Sequence, residues 1–153
     1  MNENRQKIKE IAESFFVLLD IKGEVEVDVL NTTVKISFHT KENSGIVIGK
    51  GGETLRALQH LMLLVISRRT GLYFAPGTFS LDINDYQKER EQYIFSLAKN
   101  TAEEVRRTGR EKELPPMSLA DRRLVHLASS EEQGVRSESL GSRQDRRVVI
   151  RPV

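Results

Sequence analysis

Gly49-Lys50-Gly51-Gly52 sets three glycines around one lysine, behind the apolar run Ile46-Val47-Ile48 and ahead of a helical pattern that begins at Glu53. With side chains removed on both sides of a cation, a ligand can reach bare backbone N–H groups. A glycine-rich turn that leads into a helix usually meets a phosphate. A second set of residues with chemical potential is Arg122 and His126, four apart and therefore about one turn apart on one helix face, with Arg123 beside them. An Arg fork can grip a phosphate bidentately, and His can stack on a base or donate to a phosphate.

Spacing narrows the kind of phosphate. A Walker A loop needs four residues between its first Gly and the Gly-Lys, followed by Ser or Thr for magnesium. Here Gly45 stands too close to Gly49, and Gly51 follows Lys50. A dinucleotide fingerprint needs Gly-x-Gly-x-x-Gly directly after a strand, and neither spacing nor context fits. With zero Cys and three scattered His, disulfides, thiolate chemistry and a His-built zinc site are also excluded. No cofactor and no metal is expected.

The elements that must position these residues follow from periodicity. Ile8, Ile11, Phe15, Leu18 and Leu19 recur at helical spacing from about Glu3 to Leu19, and Gly23 breaks the pattern. Val25, Val27 and Val29 alternate with Glu24, Glu26 and Asp28. Asn31-Thr32 then turns into a second alternating strand through Val34, Ile36 and Phe38. After the short apolar piece and the glycine turn, a helix from Glu53 to Arg69 carries Leu55, Leu58, Leu61, Met62 and Val65, with Gly71 as its terminator. Phe79, Leu81 and Ile83 alternate as a third strand. Asp85 can cap a long helix to about Arg107, whose stripe is Ile94, Leu97, Ala98, Thr101, Ala102 and Val105. After the rigid Leu114-Pro115-Pro116-Met117, Ser118-Leu119-Ala120-Asp121 opens another helix as a capping-box variant. Strands over Val135 to Leu140 and Arg147 to Arg151 close the chain.

Charge is uneven across 153 residues. Residues 1–100 balance at 13 Lys+Arg against 13 Asp+Glu, and residues 101–153 hold 11 against 9, which supplies the formal net charge of +2. Within the first part, Lys41, Lys50, Arg56, Arg68 and Arg69 outnumber Glu42 and Glu53 around the glycine turn. Local basic excess of this kind suits a polyanionic partner. There is no apolar run of membrane-spanning length and no signal-peptide pattern behind Met1, which predicts a soluble, cytoplasmic protein without a membrane span.

Gly49-x-x-Gly52 between two helices, with Lys50 inside, resembles the nucleic-acid loop of the KH fold, which clamps about four backbone nucleotides. The order helix-strand-strand-helix-turn-helix-strand matches the type II KH arrangement. In that reading Ile46 and Ile48 floor a groove for bases, and Lys50 with the dipole of the following helix complements the sugar-phosphate chain. The stretches PPMSLADRRLVH and VRSESLGSRQDRRVVIRP resemble the R-3-H domain, named for its Arg-x-x-x-His pair, a family that binds single-stranded nucleic acid. The resemblance assigns Arg122 and His126 to the binding face. It also aligns Ser137, Ser139 and Gly141 with a Thr/Ser-x-Ser-x-Gly pattern, and Arg146 or Arg147 with the basic residue that opens the last strand.

Together the halves resemble the Jag (KhpB, SpoIIIJ-associated) family over residues 5 to 153. The resemblance implies a non-enzymatic α+β protein: a type II KH domain (α-β-β-α-α-β, residues 1–84) and a small α/β R-3-H domain (85–153) joined by a long helix. The implied site is Ile46, Ile48, Gly49, Lys50, Gly51, Gly52 and Arg56, with Arg122, Arg123, His126, Ser137, Ser139 and Arg146. Tyr86 and Arg90 also match the joint pattern, with packing between the two halves as their expected role. The implied partner is single-stranded RNA, with single-stranded DNA as the alternative, in a cytoplasmic regulator or RNA chaperone linked to cell elongation and envelope synthesis. Family members often pair with a small KH-only protein, and a homodimer is the other option. Many members carry a further N-terminal domain, whereas this chain starts almost at the KH helix, so regulation residing there is not carried over. Two other readings remain open: a hydrolase using His126 with Asp121 or Glu131, and a protein-interaction adaptor that dimerises through its KH half.

Overall fold

A computed structural model describes residues 2–153, which divide into two compact units, residues 2–87 and 88–153. Each has its own apolar core. The chain has the α+β character expected from its periodicities.

In the first unit, helix α1 (Asn2–Leu18) precedes strands β1 (Glu24–Leu30) and β2 (Thr33–His39). These pair as an antiparallel hairpin from Glu24↔His39 to Leu30↔Thr33, with Asn31 left-handed at the turn. Helix α2 (Ser44–Ile48), a 3₁₀ turn over Lys50–Gly52 and helix α3 (Glu53–Thr70) lead to β3 (Phe79–Ile83). β3 returns parallel to β2, giving the sheet order β1-β2-β3. The hairpin valines, Ile36, Phe38 and Leu81 bury one sheet face against Ile8, Ala12 and Phe16 of α1 and Leu55, Leu58, Met62 and Ile66 of α3. The helices therefore cover one side of the sheet, and Glu24, Glu26 and Asp28 stay exposed on the other.

Two expected stripes shift. In α1 the deepest residues are Ala12 and Phe16, with Phe16 stacked on Phe38 at 3.6 Å between ring centroids; Ile11 and Phe15 only flank this core, and Leu18 is 85% exposed. Leu18, the last helical residue, lies two positions from Phe16 and so faces away from the Ile8–Ala12–Phe16 stripe, while Leu19 lies past the helix end, where the Ile21 N–H bonds back to the Phe16 carbonyl. In α3 Leu61 faces solvent, and Ile66 takes the buried place one turn beyond Met62.

Two side-chain amide bonds fix how the chain enters α2. The Thr40 N–H donates to Asn84 Oδ1, and Asn84 Nδ2 donates to the Thr40 carbonyl, both at 2.9 Å. The ends of β2 and β3 are thereby tied together ahead of the glycine turn.

Helix α4 (Tyr86–Thr108) begins at the close of the first unit. The carboxylate at its first turn is that of Asp82, which accepts from the Gln87 N–H at 3.2 Å; Asp85, the expected cap, sits instead in a left-handed turn. Asp82 can reach the helix because β3 ends only one residue after it.

The second unit adds β4 (Lys112–Glu113), helix α5 (Leu119–Ser130), β5 (Val135–Leu140) and β6 (Arg147–Pro152). β4 is too short to show an alternation in the sequence. β6 lies between β4 and β5, antiparallel to both. Val148 and Ile150 point into a core built from Ile94, Ala98, Ala102 and Val105 of α4 and Val125 and Ala128 of α5. On the opposite sheet face Val149 is fully buried. Its neighbours there are charged pairs: Arg147 with Glu113 at 2.6 Å, Arg151 with Glu111 at 2.8 Å, and Arg151 with Glu138.

Candidate nucleic-acid interface

The glycine turn has a backbone that side chains would disturb. Gly49 stands at φ 71°, ψ 176°, Gly51 at φ 59° and Gly52 at φ 76°. A Cβ on Gly49 would lie 2.3 Å from Thr54 Oγ1, and one on Gly52 would lie 2.9 Å from the Tyr86 ring. Both glycines are therefore required twice over, by left-side φ and by close packing. Thr54 and Tyr86 form the backing of the loop; no sequence signal marks Thr54, and Tyr86, expected to pack between the two halves, packs against Gly52.

On the outer side the loop is open. Lys50 is exposed. No side chain caps α3, whose first-turn amides carry the positive end of an 18-residue helix. Arg56, exposed one turn into α3, donates from a guanidinium N–H to the Gly51 carbonyl at 2.9 Å and so braces the turn while adding charge. Ile46 is 73% exposed and Ile48 half-buried on the approach helix. Of the residues expected in the first unit, all seven thus lie on α2, the turn or the first turn of α3.

In the second unit Ser118 caps α5 as expected, its Oγ accepting from the Asp121 N–H at 3.2 Å. The reciprocal half of the capping box does not form, because the Asp121 carboxylate faces Arg90, whose Nε and one terminal nitrogen lie 3.3 and 3.1 Å from Asp121 Oδ2.

His126 sits between two serines of β5. Its Nδ1 is 2.7 Å from Ser137 Oγ and its Nε2 is 3.0 Å from Ser139 Oγ. Ser137 and Ser139 alternate onto the same strand face, which is why an x-Ser-x-Ser pattern can hold both sides of one ring. Burial, and secondarily the Arg122 guanidinium, holds the imidazole below its ordinary pKa. A neutral ring suits this cradle, one nitrogen donating to a hydroxyl and the other accepting from one.

Arg122 is more enclosed than a simple surface fork, at 9% exposure, and one of its terminal nitrogens donates to the Met117 carbonyl at 2.8 Å. Its remaining donors have no protein partner among the described residues, and they are not sealed off: the one buried, unbonded side-chain polar atom among those residues is Ser129 Oγ. Arg123 and Arg146 are exposed. Arg147, the alternative opener of the last strand, is engaged by Glu113. The structure thus gathers His126, Ser137 and Ser139 into one bonded cluster, with Arg122 one turn away.

Residues 5–73 match the family model described as "KhpA/KhpB, KH domain", and residues 93–152 match the model of the R-3-H domain. The class is therefore a paired KH and R-3-H protein. Over 147 residues the chain is 32% identical to "RNA-binding protein KhpB" of Clostridium symbiosum, covering 95% of this chain and 65% of that protein. It is 29% identical over 133 residues to the protein of the same name from Bacillus subtilis (strain 168), covering 85% and 62%. To that of Lactiplantibacillus plantarum it is 31% identical over 132 residues, covering 86% and 40%. The chain thus carries a KH domain of the KhpA/KhpB type and an R-3-H domain, is similar to proteins named KhpB, and spans less than two thirds of the length of each of these relatives. Among the described residues, no helix is long and apolar enough to cross a membrane.

Proposed function

We propose that this chain binds single-stranded RNA without catalysing a reaction on it, through the Gly49–Gly52 turn and through the α5 face carrying Arg122, Arg123 and His126 with Ser137, Ser139 and Arg146. The observation that carries the reading is the turn itself: glycines with no room for a Cβ, a helix start with no side-chain cap and an exposed lysine meet in one place. Such a turn suits a continuous phosphate backbone better than a single nucleotide, since it lacks Walker spacing and Gly51 stands where the magnesium-holding Ser or Thr would follow the lysine. The names of the relatives support the same partner.

The hydrolase reading loses its acid–base groups. Both nitrogens of His126 are bonded to serines, Asp121 is paired with Arg90, and Glu131 faces Lys99. Two covalently joined surfaces raise each other's effective concentration on one strand, so modest separate affinities combine. A cytoplasmic role as post-transcriptional regulator or RNA chaperone in envelope growth rests on the family resemblance alone; crosslinking in cells, with the adducts mapped to peptides, tests it.

The direct test is Lys50→Asp with Gly51→Asp, read by fluorescence anisotropy on an unstructured RNA oligonucleotide at several salt concentrations. Most of the affinity is lost while thermal unfolding changes little, and the slope of log K against log salt flattens by about 0.7 for each phosphate contact removed. Retained affinity with an unchanged slope overturns the loop assignment.

An adaptor role has one observation in its favour. Val17 and Leu18 are exposed on α1, and Val17 lines a cleft of about 660 Å³ with Phe16, Gly23 and Phe38. A second copy of the chain or a small KH-only partner would cover these side chains; sedimentation of the chain alone and with such a partner, against Leu18→Glu, tests it.

A further inference from the structure

Tyr93 stands on α4 with its side chain more than half exposed. Arg90, one turn earlier, holds its guanidinium carbon 5.5 Å from the Tyr93 ring centroid, within cation–π range. That guanidinium is not free to wander: two of its nitrogens converge on Asp121 Oδ2, and Asp121 is only 6% exposed at the first turn of α5. The ring is therefore fixed relative to α5 through a chain of contacts, Tyr93 to Arg90 to Asp121, and the next residue is Arg122. The third guanidinium nitrogen of Arg90 has no protein partner among the described residues.

We propose that Tyr93 and Arg90 form a base-stacking subsite that takes one unpaired nucleobase of the bound single strand. This deepens the RNA-binding reading and rests on it. One ring face is covered by a cation, and the exposed remainder offers a π surface on which any base can lie, so the subsite adds affinity without reading sequence. Asp121 holds the cation over the ring, and the unpaired nitrogen of Arg90 is available to a phosphate of the same strand. The other tyrosines lack this arrangement: Tyr73 is exposed without a cation over its ring among the described residues, and Tyr86 packs behind Gly52.

The chain contains no Trp, so Tyr93→Trp introduces a single indole reporter. The full chain carrying it is titrated with an unstructured RNA oligonucleotide and, separately, with an abasic ribose-phosphate of the same length. RNA quenches the indole in step with the anisotropy change, and the abasic strand leaves the emission nearly unchanged. In the parent chain Tyr93→Ala weakens RNA binding by about 5- to 100-fold without altering the salt slope, while Tyr93→Phe stays within about twofold. RNA binding with an unquenched indole and a fully competent Tyr93→Ala variant would overturn the subsite and leave the broader reading intact. An unaltered chain that gives no anisotropy change with RNA would sink both.

Discussion

His126 Nδ1 and Ser137 Oγ lie 2.7 Å apart, and with Ser139 on the other nitrogen the imidazole spans α5 and β5 as a bridge. The ring is depressed in pKa, first by burial and then by Arg122. Below the ordinary value of 6.5 the unfolded chain therefore takes up a proton before the folded one does. Stability from this site is full above that pH and declines as pH falls through it. Thermal melts from about pH 7.5 to about pH 5 should show a drop that is smaller in His126→Gln. Equal drops in both proteins would remove His126 as the cause.

Glycine replacements should separate by position. Gly49→Ala forces a Cβ against Thr54 in a left-side conformation and is expected to cost about 1–3 kcal/mol in urea unfolding. Gly45→Ala, on α2 with nothing within 4 Å of the added carbon, is expected to be neutral or to stabilise by about 0.4–1 kcal/mol. A similar cost at both would mean that the turn is not the constrained element.

Arg122→Ala should act on folding as well as on RNA. It strands the Met117 carbonyl and removes a nine-tenths-buried side chain, a loss of about 1–3 kcal/mol in stability. RNA affinity should also fall when measured well below the variant's Tm. Unchanged affinity there would restrict Arg122 to a supporting role.

The Arg90–Asp121 pair is open to a double-mutant cycle. Arg90→Ala leaves a buried carboxylate facing nothing, and about 2 kcal/mol of destabilisation is expected, below fully enclosed pairs because Arg90 is 26% exposed. Combining it with Asp121→Asn should recover part of that loss. Strict additivity, followed by chemical denaturation, would show that the two side chains do not support each other.

Legibility in the sequence tracked the reach of each signal. The hairpin, β3, β5 and β6 alternate over five or more residues, and period two leaves little choice of face. In α1, adjacent Phe15 and Phe16 both fit a helical stripe, and only the end of the helix at Leu18 decides between them. Asp82 reads as a strand position facing solvent, so its place at the start of α4 was invisible until β3 was seen to stop beside it. The Gly-x-x-Gly turn could be read because it is local. Packing is the expected role of Tyr86 and Arg90, but their partners Gly52 and Asp121 could not be read, since 34 and 31 residues separate them and no spacing rule joins them.

Glu24, Glu26 and Asp28 project from β1 on the sheet side away from the helical layer that bears the turn. A polyanion drifting toward this unit from that direction meets like charge and is deflected, whereas one arriving over the helices finds Lys50 and Arg56. On the proposed reading the unit is two-sided, with a carboxylate row on its back that disfavours landing there, opposed on that face by the exposed Lys35 beside Asp28. Reversing those three carboxylates should let RNA settle on the wrong side, slowing capture at the turn without touching any residue of the proposed site.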